Sequence, residues 1–227
     1  MGCTRENGKL AMGNLIVVTK EHIIHWLQQF ASAIAQNKEY LTQLDAAIGD
    51  ADHGINMDRG FQKVSNQLPN FAAQDISNIL KSVSMTLISS VGGASGPLYG
   101  SFFLRASTAV AGKQELSNED MVSLLQAGLD GVLQRGKAQL GDKTMIDALS
   151  PAVTTFTQVI SEGKSTPEAI QQATVAAEQG MKATIPIVAK KGRASYLGDR
   201  SINHQDPGAT SVYLMLQSLS EVLAICS

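Results

Sequence analysis

The sequence predicts an all-α fold, and three observations carry that prediction. Apolar residues recur at helical spacing along most of the chain, strand-like alternation is nearly absent, and the periodic segments are parted by loops rich in glycine and polar residues. Counting the periodic segments gives about eight helices, well beyond the average helical third of a globular protein. The short stretch "TIPIVA" (184–189) is the one exception with strand character.

In chain order, Ile23, Leu27, Phe30 and Ile34 mark the first helix face. Ile76, Ile79, Leu80, Val83 and Leu87 mark another, and a further helix begins near Leu98. Met121, Leu124, Leu125, Gly128 and Val132 form the next stripe, with Ser117 and Asn118 before it as candidate N-caps. Thr166-Pro167-Glu168 starts a helix with proline in the first turn, where its missing N–H costs nothing. The last helix is expected from about Ala209 to Leu223. With only 5% aromatic residues and many Ala, Ser and Thr, the helices are expected to approach closely around small and branched aliphatic side chains rather than aromatic ones.

At 227 residues the chain fits one large domain, taken as 19–227. Residues 1–18 read as a poorly ordered extension, an alternative start or a remnant of cloning. Its Met-Gly start fails as a myristoylation signal because Glu6 stands where Ser or Thr is wanted. Hydrophobic residues at 44% and charged ones at 17% give a globular balance. A net charge of −2 supplies no electrostatic footprint for nucleic acid. No apolar run reaches the roughly 18 residues of a membrane span, so no membrane partner is expected. The two cysteines, Cys3 and Cys226, make no disulfide framework, which suits a reducing, cytoplasmic setting.

Four loops carry glycine with polar residues: "GDADHG" (49–54), "SSVGGASGPLYG" (89–100), "RGKAQLGDKT" (135–144) and the long stretch 190–210. In an up-and-down bundle such alternate loops share one end and are able to converge. Asp45, Asp50 and Asp52 repel one another unless they stay solvated or a cation neutralises them, and oxygen-only ligands suit Mg²⁺ or Ca²⁺ rather than zinc. A surface turn with an Asp cap is the plain alternative. An EF-hand is excluded, since Gly54 and Phe61 stand at its fifth and twelfth positions.

The glycines at 92, 93 and 96 let backbone N–H groups face an anion at the start of the next helix, or merely allow a tight helix connection. The stretch from Gly136 to Thr144 is no Walker loop, because Asp142 separates Gly141 from Lys143 and the approach is helical. It remains either a polar loop whose lysine and threonine contact a nucleotide, or a solvated loop. Arg193, following Gly192, is the most attractive anion contact, and Gly208 permits close approach of a ligand or another backbone. His22 and His25 read as exposed or packing residues. His53, inside the acidic loop, is a site candidate or a capping histidine. The residues alone thus reach an all-α binder of a nucleotide and Mg²⁺.

"YLTQLDAAIGDADHGINMDRGF", "SSVGGASGPLYG", "GDKTM", "KKGRASYLGDRS" and "HQDPGAT" together resemble the nucleotide-binding (DhaL-type) subunits of phosphoenolpyruvate-dependent dihydroxyacetone kinases. They are similar also to the C-terminal domain of the ATP-dependent kinases. The resemblance runs from about residue 20 to 224 in unbroken motif order. It implies an eight-helix antiparallel barrel with the nucleotide at one rim. It implies two Mg²⁺ on Asp45, Asp50 and Asp52, and tightly bound ADP or ATP. The implied nucleotide contacts are His53, Gly54, Ile55, Asn56, Ala94, Ser95, Gly136, Met145, Arg193, Asp206, Pro207 and Gly208, with Arg193 also catalytic.

The ATP-dependent relatives are much longer, so this length points to the separate subunit. ADP would accept phosphate from the phosphohistidine of a DhaM-type partner, and the resulting ATP would phosphorylate dihydroxyacetone on a DhaK-type partner. A free-ATP-dependent kinase and a nucleotide sensor acting on a transcription regulator are the competing readings. A homodimer is the remaining association considered.

Overall fold

The computed structural model describes residues 17–71 and 73–225. Cys3, Cys226 and the first sixteen residues of the expected extension lie outside the described residues. Val18 belongs to the folded unit: it is fully buried, and the two-residue strand β1 (Val18–Thr19) pairs antiparallel with β2 (Glu115–Leu116).

Nine α-helices follow among the described residues: α1 (Lys20–Gln36), α2 (Lys38–Ile48), α3 (His53–Phe71), α4 (Ile76–Ser90), α5 (Ser95–Ala109), α6 (Asn118–Gly136), α7 (Ile146–Ser161), α8 (Thr166–Ala183) and α9 (Pro207–Ile225). A 3-10 segment spans Arg193–Ser201. The stretch 184–189, the one with strand character in the sequence, is turn and loop between α8 and that segment. Pro186 withholds a ladder donor there, and no neighbouring strand exists among the described residues for the stretch to join.

Local chemistry sets the helix starts. Capping boxes open α6, with Ser117 and Asp120, and α8, with Ser165 and Glu168, each satisfying two backbone donors the helix leaves orphaned. His22, dismissed from the sequence as exposed or packing, completes a similar box at α1: its Nδ1 accepts from Thr19 N. α9 begins two residues earlier than expected because Asp206 accepts from Ala209 N at 2.7 Å and caps it.

Eight helices pack in a closed cycle, each on the next: α1, α3, α4, α5, α6, α7, α8, α9 and back to α1. Trp26 Nε1 donates to Met215 O at 2.9 Å and ties the closure. The short connections after α3, α4 and α7 turn the chain back between cycle neighbours, which makes those neighbours antiparallel. α2 stands outside the cycle, against α3, α9 and the 3-10 segment. α9 is long and apolar enough to cross a bilayer by length and composition, and most of it is buried in this core.

The expectation of an aliphatic core is corrected. Few aromatics are present, but Trp26, Phe30, Phe61, Tyr99, Phe102, Phe103 and Phe156 are all fully buried. Phe30 packs edge-on to Phe61 at 4.4 Å, and Phe102 to Phe103 at 5.2 Å. Overall composition says how many rings exist, not which way they face. Close approach does hold between α5 and α6, where a Cβ on Gly128 would strike the Phe102 ring. Phe30→Ala is expected to cost about 3–5 kcal/mol in urea unfolding, since removal of a central ring leaves a cavity its neighbours cannot fill.

Candidate functional site

Alternation of the helices leaves the loops before α3, after α4, after α6 and after α8 at one end, and they meet there. Together they wall a cavity of about 540 Å³, within the range of small-ligand sites.

The acidic loop is shaped by Asp45 in the last turn of α2. Its Oδ2 accepts from Asp52 N (2.8 Å) and His53 N (3.1 Å), capping α3 from outside. Its Oδ1 lies over Gly49, where any Cβ would collide with it. Ala51 sits between Asp50 and Asp52 at φ 60°, a left-handed conformation that costs a non-glycine residue about 1–2 kcal/mol. The strain turns the flanking carboxylates the same way: one oxygen each from Asp45, Asp50 and Asp52 lies within 4.8 Å of the others. That donor set suits a hard divalent cation. Asp50 is also held by Arg193, Nη2 to Oδ2 at 3.0 Å.

Across the cavity, Gly93 takes φ +65° and lets the 91–94 loop turn into α5. Arg59 braces this loop from behind: Nε donates to Ser90 O at 3.0 Å and Nη2 to Asn56 Oδ1 at 2.6 Å. Ser95 and His53 meet on the cavity wall, Ser95 Oγ 3.1 Å from His53 Nδ1. Ser211 Oγ lies 3.0 Å from Nε2 on the ring's other side. Burial pushes the imidazole down to about 4, against the nearby Asp45 charge, so His53 is neutral at physiological pH.

The 137–145 loop is a wall rather than a ligand-reaching arm. Asp147 accepts from Gly141 N (2.6 Å) and Thr144 N (2.7 Å) and folds it onto α7. Lys143, which the sequence leaves as either a nucleotide contact or part of a solvated loop, is 1% exposed and spends its ammonium on the carbonyls of Thr184 (2.7 Å), Ile187 (3.1 Å) and His204 (2.5 Å). All three donors are used, so it staples the long α8–α9 connection and has none left for a phosphate. That connection is pinned to α2 by a small apolar cluster of Ile48, Ala189, Ala194 and Leu197, which leaves the Arg193 side chain exposed at the mouth.

Of the residues expected at the site, Asp45, Asp50, Asp52, His53, Ala94, Ser95, Met145, Arg193, Asp206, Pro207 and Gly208 line the cavity. Gly54, Ile55, Asn56 and Gly136 do not. Gly54 is buried against α2, where a Cβ would strike the Lys38 carbonyl. Ile55 is turned outward and 46% exposed. Asn56 lies beneath Gly92, and Gly136 ends α6 beside Leu98. Sequence reasoning missed Tyr99, which also lines the cavity, and Ser211 behind it. Their positions one helical turn beyond Ser95 and Gly208 are the only signal the sequence offered.

Asp206 is deeply buried at the cavity floor. Desolvation pushes its carboxyl up to about 7; the Ala209 N–H opposes this and the Asp147 charge adds to it. The folded chain therefore holds a proton between about pH 4 and 7 that the unfolded chain has released, and stability falls as pH rises through that window. His53 acts oppositely: the unfolded chain binds a proton below 6.5 that the folded imidazole refuses down to about 4, so stability falls as pH drops between them. Asp206→Asn keeps an acceptor for Ala209 and removes the first slope. Urea midpoints of the nucleotide-free variant are expected to climb from pH 4 to 6.5 more steeply than wild type, and to lose the wild-type decline between 6.5 and 7.

Fold and cavity define a class: an all-α domain with one rim suited to a phosphate-bearing ligand beside a hard cation. Comparison with known proteins narrows it. Residues 47–221 match the DAK2 domain model. The chain is 50% identical over 203 residues to the ADP-binding subunit DhaL of the PEP-dependent dihydroxyacetone kinase of Escherichia coli, covering 89% of this chain and 97% of that one. It is 43% identical over 208 residues to the ADP-binding subunit DhaL of the PTS-dependent kinase of Lactococcus lactis, covering 92% and 100%. The chain belongs to the DAK2 domain family and, within it, to the ADP-binding subunits of dihydroxyacetone kinase.

The fold matches the crystal structure of the dihydroxyacetone kinase of C. freundii with a TM-score of 0.70 at 23% identity, over 97% of this chain. The chain spans only 38% of that enzyme. A second structure of the C. freundii kinase, in complex with AMP-PNP and Mg²⁺, matches with a TM-score of 0.69 at 24% identity.

Proposed function

We propose that this chain carries ADP for a phosphotransferase-system-dependent dihydroxyacetone kinase. The cavity would hold ADP, and Asp45, Asp50 and Asp52 would hold two Mg²⁺ ions that offset the charge of its diphosphate. The phosphohistidine of a DhaM-type partner phosphorylates the bound ADP. The ATP so formed passes its γ-phosphoryl group to dihydroxyacetone on a DhaK-type partner, giving dihydroxyacetone phosphate. Catalysis is positioning and charge neutralisation by the cations and Arg193, with no covalent intermediate on this chain. Both partners and this chain work in the cytoplasm.

The single observation that carries the reading is the convergence of three carboxylates, a glycine turn and Arg193 on one cavity, in a chain of this family. Native mass spectrometry of the purified chain is expected to show the added mass of one ADP and two Mg²⁺. Radiolabelled phosphate is expected to reach dihydroxyacetone from phosphorylated DhaM-type protein in the presence of DhaK-type protein, without free ATP. A chain that carries no nucleotide and transfers only from free ATP sinks the reading.

A further inference from the structure

Tyr99, Ser211 and His53 form a buried hydrogen-bond chain that ends at the cavity wall. The Tyr99 phenol donates to Ser211 Oγ at 2.8 Å, Ser211 Oγ lies 3.0 Å from His53 Nε2, and His53 Nδ1 lies 3.1 Å from Ser95 Oγ. Tyr99 is 1% exposed and Ser211 0%. Three elements of the cycle supply the members: α3 gives His53, α5 gives Ser95 and Tyr99, and α9 gives Ser211.

Counting protons determines what Ser95 presents to a ligand. A neutral imidazole has a single N–H. With the proton on Nε2, the ring donates to Ser211, Ser211 donates to the Gly208 carbonyl at 3.0 Å, and bare Nδ1 accepts a hydrogen bond from the Ser95 hydroxyl. The cavity then meets only lone pairs. With the proton on Nδ1, Ser211 donates to Nε2, the ring donates to Ser95, and the Ser95 proton points into the cavity. Between the two, one proton leaves Nε2 and one is taken up from water at Nδ1, so net charge is unchanged. A phosphate oxygen only accepts, and it selects the second arrangement.

We propose that Tyr99, Ser211 and His53 are positioning residues that aim the Ser95 hydroxyl proton at a phosphate oxygen of the bound ligand, through the Nδ1–H tautomer of His53. Every member then donates toward the cavity, and each bond polarises the next. The inference rests on the reading that the nucleotide occupies this cavity.

Two measurements on the full chain test it. In protein labelled with nitrogen-15 at histidine and loaded with Mg²⁺ and ADP, long-range nitrogen–proton correlations of His53 are expected to show the Nδ1–H tautomer; His53→Asn assigns the signal. The Nε2–H tautomer in the loaded protein overturns the proposal. Calorimetry with Mg²⁺-pyrophosphate probes the phosphate end alone. Ser95→Ala is expected to weaken binding about tenfold and Ser211→Ala about threefold, the scale of one hydrogen bond and of its polarisation.

If Ser211 acts through Ser95, Ser211→Ala makes no further difference in the Ser95→Ala background. An equal loss in both backgrounds marks a merely structural role and overturns the proposal. Should Ser211→Ala fail to fold with the phenol orphaned, Ser211→Ala with Tyr99→Phe removes both partners and repeats the cycle. Wild-type protein that binds neither ADP nor pyrophosphate refutes the nucleotide-carrier reading itself. Bound ADP with the wrong tautomer, or with an additive cycle, refutes the relay alone.

Discussion

Asp50→Ala is expected to lower phosphoryl transfer by about a hundredfold to a thousandfold, the range for losing one element of transition-state charge stabilisation, because the cation its carboxylate would help hold is displaced, while leaving the fold intact. The three aspartates differ in what else they do. Asp45 caps α3 through two backbone donors, so its removal unseats the helix carrying His53 and confounds stability with chemistry. Asp50 makes no such backbone bond, and its ion pair is with the exposed Arg193 side chain. Exposed pairs contribute little to folding. The urea midpoint of Asp50→Ala should therefore stay close to wild type, whereas Mn²⁺ affinity, used as a probe of the cation site, should fall sharply. Unchanged Mn²⁺ binding in Asp50→Ala would remove Asp50 from the cation site, whatever happened to the rate.

The fold was legible where local chemistry and tertiary packing agree. Ile23, Leu27, Phe30 and Ile34 announce an inward face, and all four are fully buried. Thr166-Pro167-Glu168 announces a helix start, and α8 begins there. The separate α2 was harder, because the break at Asn37 has no proline or glycine to mark it. The 184–189 stretch misled because β-branched residues favour strands only when a neighbour strand exists to pair with.

At the site, the carboxylate cluster and Arg193 were legible because repulsion between like charges and guanidinium chemistry are properties of the residues themselves. The role of Lys143 stayed open for the opposite reason. A lysine in a polar, glycine-bearing loop is open to reading as an anion contact, and only the fold reveals the three carbonyls that consume it. Tyr99 and Ser211 were invisible because their meeting joins α5 to α9, 112 positions apart in the chain.

Arg193→Ala is expected to slow phosphoryl transfer about a thousandfold, the lower end of what a charge-stabilising arginine supplies in phosphoryl transfer, and to shift the metal equilibrium the other way. The guanidinium sits 3.0 Å from Asp50, so without nucleotide it does part of the neutralising work a cation would do. A bound diphosphate offers it a second, bidentate anion, and moving there exposes Asp50 to the metal. Arg193 is thus expected to oppose cation binding in the empty cavity and to favour it in the loaded one. Arg193→Ala should bind Mn²⁺ at least as tightly as wild type without nucleotide, and should lose the increase in Mn²⁺ affinity that ADP produces in wild type. Arg193→Lys restores the charge but not the fork, and is expected to recover the Mn²⁺ behaviour more fully than the rate. Weaker Mn²⁺ binding in nucleotide-free Arg193→Ala would mean that the arginine supports the carboxylates rather than competing for them, and the exchange would be ruled out.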